Sequence, residues 1–223
     1  MSWIRSRDRR TAQRLAVVDG YRFTAGVRHR FAVEHGDLDA AGVALVEDAI
    51  RQWFRLTARR PRARLSMPSV AVDELWNAMV LDARDYAQFC DKAFGHFLAH
   101  TPESALTATA VAAHRTGHLA DTLRLAQQDE GCRPEMLPLI FRVDRQLDIK
   151  AGRHYLADCG GRGECYEVPG ALCLRHVAGM ENPKRWRPDR RGGGPPADGL
   201  ITGGSGIGCG GTGCGGGGCG GGS

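Results

Sequence analysis

The run Ser69-Val-Ala-Val-Asp-Glu-Leu-Trp-Asn-Ala-Met-Val-Leu-Asp82, continued by Ala83-Arg-Asp-Tyr-Ala-Gln-Phe-Cys-Asp-Lys-Ala-Phe94, decides the fold. In its first half Val72, Leu75, Trp76 and Met79 recur at the spacing of one buried helix face. Ser69 stands where a hydroxyl can accept an orphan backbone N–H at the helix start. Asp82 ends this helix and caps its successor, placing Asp85 at the third helical position. Tyr86, Phe89, Cys90, Phe94, Phe97 and Leu98 carry the period onward, so the second helix is expected to stop near His100, before Thr101-Pro102. Aromatic residues at this spacing form a packing face. Cys90 within that face is expected to be an inert core thiol.

The same period extends outward. Upstream, Val43, Val46, Ile50, Trp53 and Thr57 follow at spacings of three and four, with Leu45, Ala49 and Phe54 widening the stripe. Asp37 is the expected N-cap of this helix, and Asp39 suits the positive end of its dipole. Arg59, Arg60, Arg62 and Arg64 follow around Pro61 and mark a loop that runs to Pro68. A further helix is expected over Thr11–Asp19, with Leu15 and Val18 on one face. Between Gly20 and Gly36 the helical spacing of Phe23, Val27 and Phe31 competes with Gly20 and Gly26, and the element stays open. Downstream, Ala108–Gln128 reads as a helix with Val111, Leu119, Leu123 and Ala126 inward and Gly131 just past its end. Leu137–Asp144 is either a short helix or an extended segment. Beyond Gly152 the chain is rich in Gly and Cys, and any β-structure is expected there as a hairpin near Val168–Leu174.

The expected fold class is therefore mostly α. A basic arm spans 1–10, a single helical domain 11–150, and a small Cys/Gly-rich segment 151–182. A disordered tail covers 183–223, basic first and then Gly/Cys-rich. Composition agrees with this division. Of the chain's 31 glycines, 18 lie between Gly192 and Gly222, and glycine loses the most backbone entropy on ordering. A net charge of +5 permits contact with nucleic acid without demanding it. No apolar run reaches signal-peptide or membrane-span length, because Asp19, Arg22 and Arg28 interrupt the N-terminal region. The expected compartment is cytoplasmic, with no membrane association. Thiols stay reduced there, so the eight cysteines are not read as disulfides.

Several groups could carry chemistry. Cys159, Cys165, Cys173 and His176 have the ligand types of tetrahedral zinc, but they lack the usual opening knuckle of two closely spaced cysteines. Their plain alternative is a glycine-rich turn beside buried free thiols. His96 with His100, and His114 with His118, stand one helical turn apart and could chelate a metal. Neither pair carries the Glu of a His-Glu-x-x-His motif, and packed, hydrogen-bonded histidines are the competing reading. Lys184, Arg185, Trp186 and Arg187 combine charge with one stacking ring, a weak contact for single-stranded nucleic acid; the competing reading is a solvated linker. Cys209, Cys214 and Cys219 recur every five residues in the tail. They could hold zinc or copper, or cyclise onto the preceding carbonyl as in thiazole-forming precursors. Asp73, Asp82, Asp85, His96 and His100 are close in sequence, with nothing in the sequence to join them. No serine-nucleophile elbow and no strand-to-helix phosphate loop is present.

Val72, Asp73, Trp76, Leu81 and Tyr86 match the pattern Val-Asp-x-x-Trp-His-x-His-x-Leu followed by tyrosine. The stretch thereby resembles the glycine-rich domain-containing protein family of plants and bacteria. The resemblance covers about residues 40–150, and Phe94-Gly95, the His-Thr-Pro at 100–102 and the Gly/Cys tail are similar to bacterial members. The two family histidines fall on Asn77 and Met79. A metal or proton-transfer role built on them is thus not expected here. That family has no established enzymatic activity, so the resemblance implies organisation rather than mechanism. The function expected from the sequence is a non-enzymatic interaction protein with a protein partner and a thiol-presenting tail. The alternatives are a metal-binding protein, a thiazole-type modified tail, or a weak RNA binder.

Overall fold

The computed structural model describes residues 2–63, 65–101, 108–133, 136–157 and 171–173, with the backbone alone for 2–7 and 108–117. Seven α-helices are found among the described residues: α1 Ser2–Asp19, α2 Ala25–Glu34, α3 Ala40–Arg59, α4 Val70–Val80, α5 Ala83–Phe94, α6 Ala108–Glu130 and α7 Leu139–Gln146. Two short strands follow, β1 Tyr155–Leu156 and β2 Leu172–Cys173. The mostly helical fold read from the sequence is the fold of the protein.

Helix α3 is the axis of the assembly, packing against α1, α4, α5, α6 and α7. Its stripe explains this role, since Val46, Ala49, Ile50, Trp53, Phe54 and Leu56 are all buried. Opposite it, α4 buries Val72, Leu75, Trp76 and Met79, and α5 buries Tyr86, Phe89, Cys90 and Phe94. Phe54, Trp76, Phe89 and Phe94 meet as a chain of rings with centroids 5.0–5.9 Å apart. Such pairs add about 0.5–1.5 kcal/mol each beyond the area they bury. The segment left open between Gly20 and Gly36 is helix α2, capped by Thr24 and anchored by buried Val27 and Phe31.

Several boundaries differ from expectation for identifiable reasons. The helix expected from Thr11 begins at Ser2, so the residues read as a basic arm are its first turns. The cap of α3 is Asp39, whose carboxylate accepts the Gly42 N–H at 2.7 Å, and Asp37 lies outside the helix. Helix α5 stops at Phe94 rather than near His100. Gly95 takes a left-handed φ of 76° there and returns its N–H to the carbonyls of Cys90 and Asp91. Phe97 consequently leaves the stripe and is exposed. Beyond α7, Tyr155 pairs with Leu172 and Leu156 with Cys173 in parallel. A tight hairpin joins antiparallel strands, so this parallel pair is not the hairpin expected.

One carboxylate fixes the start of α4. Asp144, on α7 and 1% exposed, accepts the Ser69 hydroxyl at 2.5 Å and the backbone N–H groups of Val70 at 2.8 Å and Ala71 at 3.3 Å. It also accepts the N–H of Arg153 at 2.9 Å. Ser69 in turn caps Val72 N–H at 3.1 Å. A negative charge at a helix N-terminus meets both the dipole and the orphan donors. The direction in which Asp73 and Trp76 leave α4 is therefore set from α7.

Candidate functional site

A cavity of about 410 Å³ opens beside α4. Its walls come from the end of α3 (Trp53, Thr57, Arg60), the following loop through Met67, the first turns of α4 (Asp73, Trp76), the segment from His96 to Thr101, and Arg153. Gly95 makes this enclosure possible. By ending α5 it turns the chain back so that Leu98 and His100 pass over Trp76.

The aromatic wall is rigidly held. His100 stacks on Trp76 with ring centroids 4.1 Å apart and planes 23° from parallel, while Trp53 approaches Trp76 at 5.8 Å. Behind the wall, Trp76 Nε1–H donates to the Tyr86 hydroxyl at 2.9 Å, and that hydroxyl donates to the Leu98 carbonyl at 2.6 Å. Burial pushes the Tyr86 phenol well above its ordinary range, so it remains a donor. Trp76 and Tyr86, expected as packing residues, do pack, and Trp76 also faces the cavity.

The polar groups in the wall are unusual. Asp73 is pushed up to about 6, chiefly by burial and partly by Glu74, against the opposing pull of Arg153. His100 is pushed down to about 4 by burial. Its Nε2 is 3.8 Å from Asp73 Oδ1, too far for a hydrogen bond. Two buried ring nitrogens, Trp53 Nε1 and His100 Nε2, make no hydrogen bond at all. Arg153 Nη1–H donates to the Met67 carbonyl, which closes the cavity at its far side. The neighbouring carboxylate of Glu74 turns away to His35 at 2.6 Å, and that contact raises the His35 imidazole above its ordinary value.

The structure thus joins part of the carboxylate and histidine group noted in the sequence. Asp73, His96 and His100 share the cavity, whereas Asp85 accepts from the Tyr21 hydroxyl and Asp82 from Thr24 at 3.2 Å. His96 and His100 are not partners on one helix face, because α5 has ended before them. His118 is half-buried on α6, and the side chain of His114 lies outside the described residues. Cys90 is a buried free thiol raised by burial. Of the proposed zinc set, Cys173 is a buried free thiol on β2, while Cys159, Cys165 and His176 lie outside the described residues. So do Lys184, Arg185, Trp186, Arg187 and the tail thiols Cys209, Cys214 and Cys219. Among the described residues no group of three or more metal-ligating side chains is assembled, and no helix is long and apolar enough to cross a membrane.

Sequence reasoning missed Arg153 and the inward role of Trp53. Arg153 gave no signal, since it is eighty residues from Asp73 and outside any periodic segment. Trp53 did carry one. It stands within the α3 stripe, and a large buried side chain with one polar atom has to meet either a partner or a space.

Fold and site together describe a mostly α-helical domain with an aromatic cavity beside a buried carboxyl group. The UCP032817-like family matches residues 13–173, and the chain belongs to that family. This match overturns the resemblance to the glycine-rich domain-containing family. The residues behind that resemblance explain the error: Val72, Trp76 and Tyr86 are buried, and a helix pair of this kind needs apolar and aromatic residues at those positions whatever its family. No curated protein and no solved structure matches the chain.

Proposed function

We propose that this is a cytoplasmic protein whose helical domain binds a small, uncharged organic molecule in the Trp53–Trp76–His100 cavity. The observation that carries this reading is an aromatic cavity of about 410 Å³ lined by Trp53, Trp76 and His100, two of whose rings carry a buried nitrogen, Trp53 Nε1 and His100 Nε2, that makes no hydrogen bond. Leaving a buried donor unsatisfied costs about 1–3 kcal/mol, which a guest that reached either nitrogen would recover. The volume of about 410 Å³ falls within the range of small-molecule sites. Interior charge is balanced between Asp73 and Arg153, and Arg60 is exposed at the rim, so the site favours a neutral guest. Binding is better supported than catalysis, because Asp73 and His100 are too far apart to share a proton directly.

Native mass spectrometry of freshly purified protein, together with tryptophan fluorescence against a fragment set, tests this. A small adduct or saturable quenching is expected in the wild type and is lost in Thr57→Phe, which fills the cavity from α3. Quenching that survives Thr57→Phe, or none with any fragment, would overturn the proposal.

A further inference from the structure

We infer that the first turns of α1 are a docking helix for the major groove of double-stranded DNA, with Arg9 and Arg10 on its phosphates. Helices α3 and α5 run antiparallel to α1. From α3, Arg51 reaches the Tyr21 carbonyl at 3.2 Å and Arg55 reaches Asp19 at 3.0 Å. On α5, Asp85 accepts from the Tyr21 hydroxyl, and Gly95, just past the helix end, lies against the guanidinium of Arg14. Both neighbours thus finish beside the middle of α1, α3 at Arg59 and α5 at Phe94. Residues 2–10 run on beyond them as about 14 Å of helix. Asp8, Arg9 and Arg10 are exposed, and Val18 is the first buried side chain of α1 among the described residues.

This length of helix is electrostatically at odds with itself. Its sequence, Ser2-Trp-Ile-Arg-Ser-Arg-Asp-Arg-Arg10, holds four arginines against one carboxylate, Asp8. Arg5 and Arg9, and Arg10 and Arg14, stand four residues apart, where like charges on a helix repel. No acidic residue occupies the first turn, so these arginines also meet the positive end of the helix dipole. Other arginines are matched with carboxylates, Arg28 with Glu47, Arg55 with Asp19 and Asp129, and Arg142 with Glu130. Arg9 and Arg10 have no such partner among the described residues. A short helix without packing is marginal in water. A polyanion relieves the repulsion and the dipole together. Apolar content then selects among polyanions. A helix lying in a lipid interface needs a continuous apolar face, and residues 2–10 offer only Trp3 and Ile4. Groove width selects again. The major groove of B-DNA, about 12 Å wide, admits an α-helix, whereas the deep, narrow major groove of an RNA duplex does not.

The test follows fluorescence anisotropy of two labelled DNA duplexes of unrelated sequence, titrated with the full-length protein between about 50 and 200 mM salt. Both duplexes are expected to bind alike, with a dissociation constant on the order of 10 μM that rises steeply with salt. Arg9→Ala combined with Arg10→Ala is expected to weaken binding about tenfold and to lower the slope of log affinity against log salt by about 2. Both side chains are exposed, so the variant keeps its fold, which circular dichroism checks. Parallel titrations use an RNA duplex of matching sequence, vesicles of phosphatidylglycerol and phosphatidylcholine, and a tail variant carrying Lys184→Ala, Arg185→Ala and Arg187→Ala. The tail variant is expected to bind DNA within about twofold of wild type. No binding of either duplex at the lowest salt, or binding unchanged by the Arg9 and Arg10 substitutions, would overturn the inference. So would RNA or vesicles bound as tightly as DNA, or a loss confined to the tail variant.

Discussion

The imidazole of His100 lies flat on the indole of Trp76, and the other side of that indole system is fixed through its N–H to Tyr86. The stack ties the segment after α5 to the face of α4. A histidine held in this way is kept neutral by burial, with its proton affinity lowered to about pH 4. A carboxyl group 3.8 Å away has the opposite shift, to about 6. The two groups thus have their usual titration order reversed.

That reversal has a measurable consequence for stability. Asp73 binds its proton more tightly folded than unfolded, so its contribution is present at low pH and is lost as pH rises between about 4 and 6. His100 binds its proton less tightly folded than unfolded, so its contribution is absent at low pH and is gained as pH rises between about 4 and 6.5. Each contribution is about 3 kcal/mol at most, and they oppose one another. Removing Asp73 with Asp73→Asn should make stability climb through this window relative to wild type. His100→Gln should make it fall. Urea unfolding at half-unit pH steps measures both, and parallel curves for all three proteins would contradict the assignment.

Tyr86→Phe removes one hydroxyl and strands two groups, the buried Trp76 N–H and the Leu98 carbonyl. The expected loss is about 1–3 kcal/mol, with no change in helix content. Guanidinium unfolding followed by far-ultraviolet circular dichroism provides the check. A neutral outcome would mean that water replaces both partners.

Asp144→Ala is expected to be the most damaging single change away from the aromatic core. It leaves the Ser69 hydroxyl and the N–H groups of Val70, Ala71 and Arg153 without their acceptor. The loss should be about 3–5 kcal/mol. Asp144→Asn keeps one acceptor oxygen, but turns the other position into a donor facing an N–H, and should fall between the two. Calorimetric melting temperatures of the three proteins are expected in the order wild type, Asn, Ala.

Two backbone positions make opposite predictions. Gly95→Ala places a Cβ at φ 76°, 3.1 Å from the guanidinium of Arg14, and should cost about 1 kcal/mol. Ala151, exposed with φ 59°, already bears that strain. Ala151→Gly should be neutral or stabilising by up to about 1 kcal/mol, the relief offset by a more flexible unfolded chain. Thermal unfolding distinguishes the two signs.

Helices α3, α4 and α5 were legible because each buries a stripe: α4 and α5 were fixed by Val72, Leu75, Trp76, Tyr86 and Phe89, residues whose spacing has one physical reading. The end of α5 was not, because the apolar period runs past Gly95 through Phe97 and Leu98 while the backbone does not. Periodicity records what side chains would do on a helix, and a left-handed glycine overrides it. The cavity was half legible. Asp73, His96 and His100 were noted as neighbours without a geometry, and Gly95 supplied it. Arg153 was invisible because it reaches the site through a fold-back that no local pattern encodes.

The hold of Asp144 on Arg153 has a consequence for anyone trimming this protein. A cut placed after the last helix, where a domain edge would naturally be drawn at residue 150, would discard Arg153 and Tyr155. It would leave Asp144 without one of its donors, Met67 without its guanidinium, and Phe141 without the ring that packs on it at 5.0 Å. The fragment would keep every helix and lose the far side of the cavity. In this protein the end of the last helix is not the end of the packed core, which reaches on to Arg153 and Tyr155.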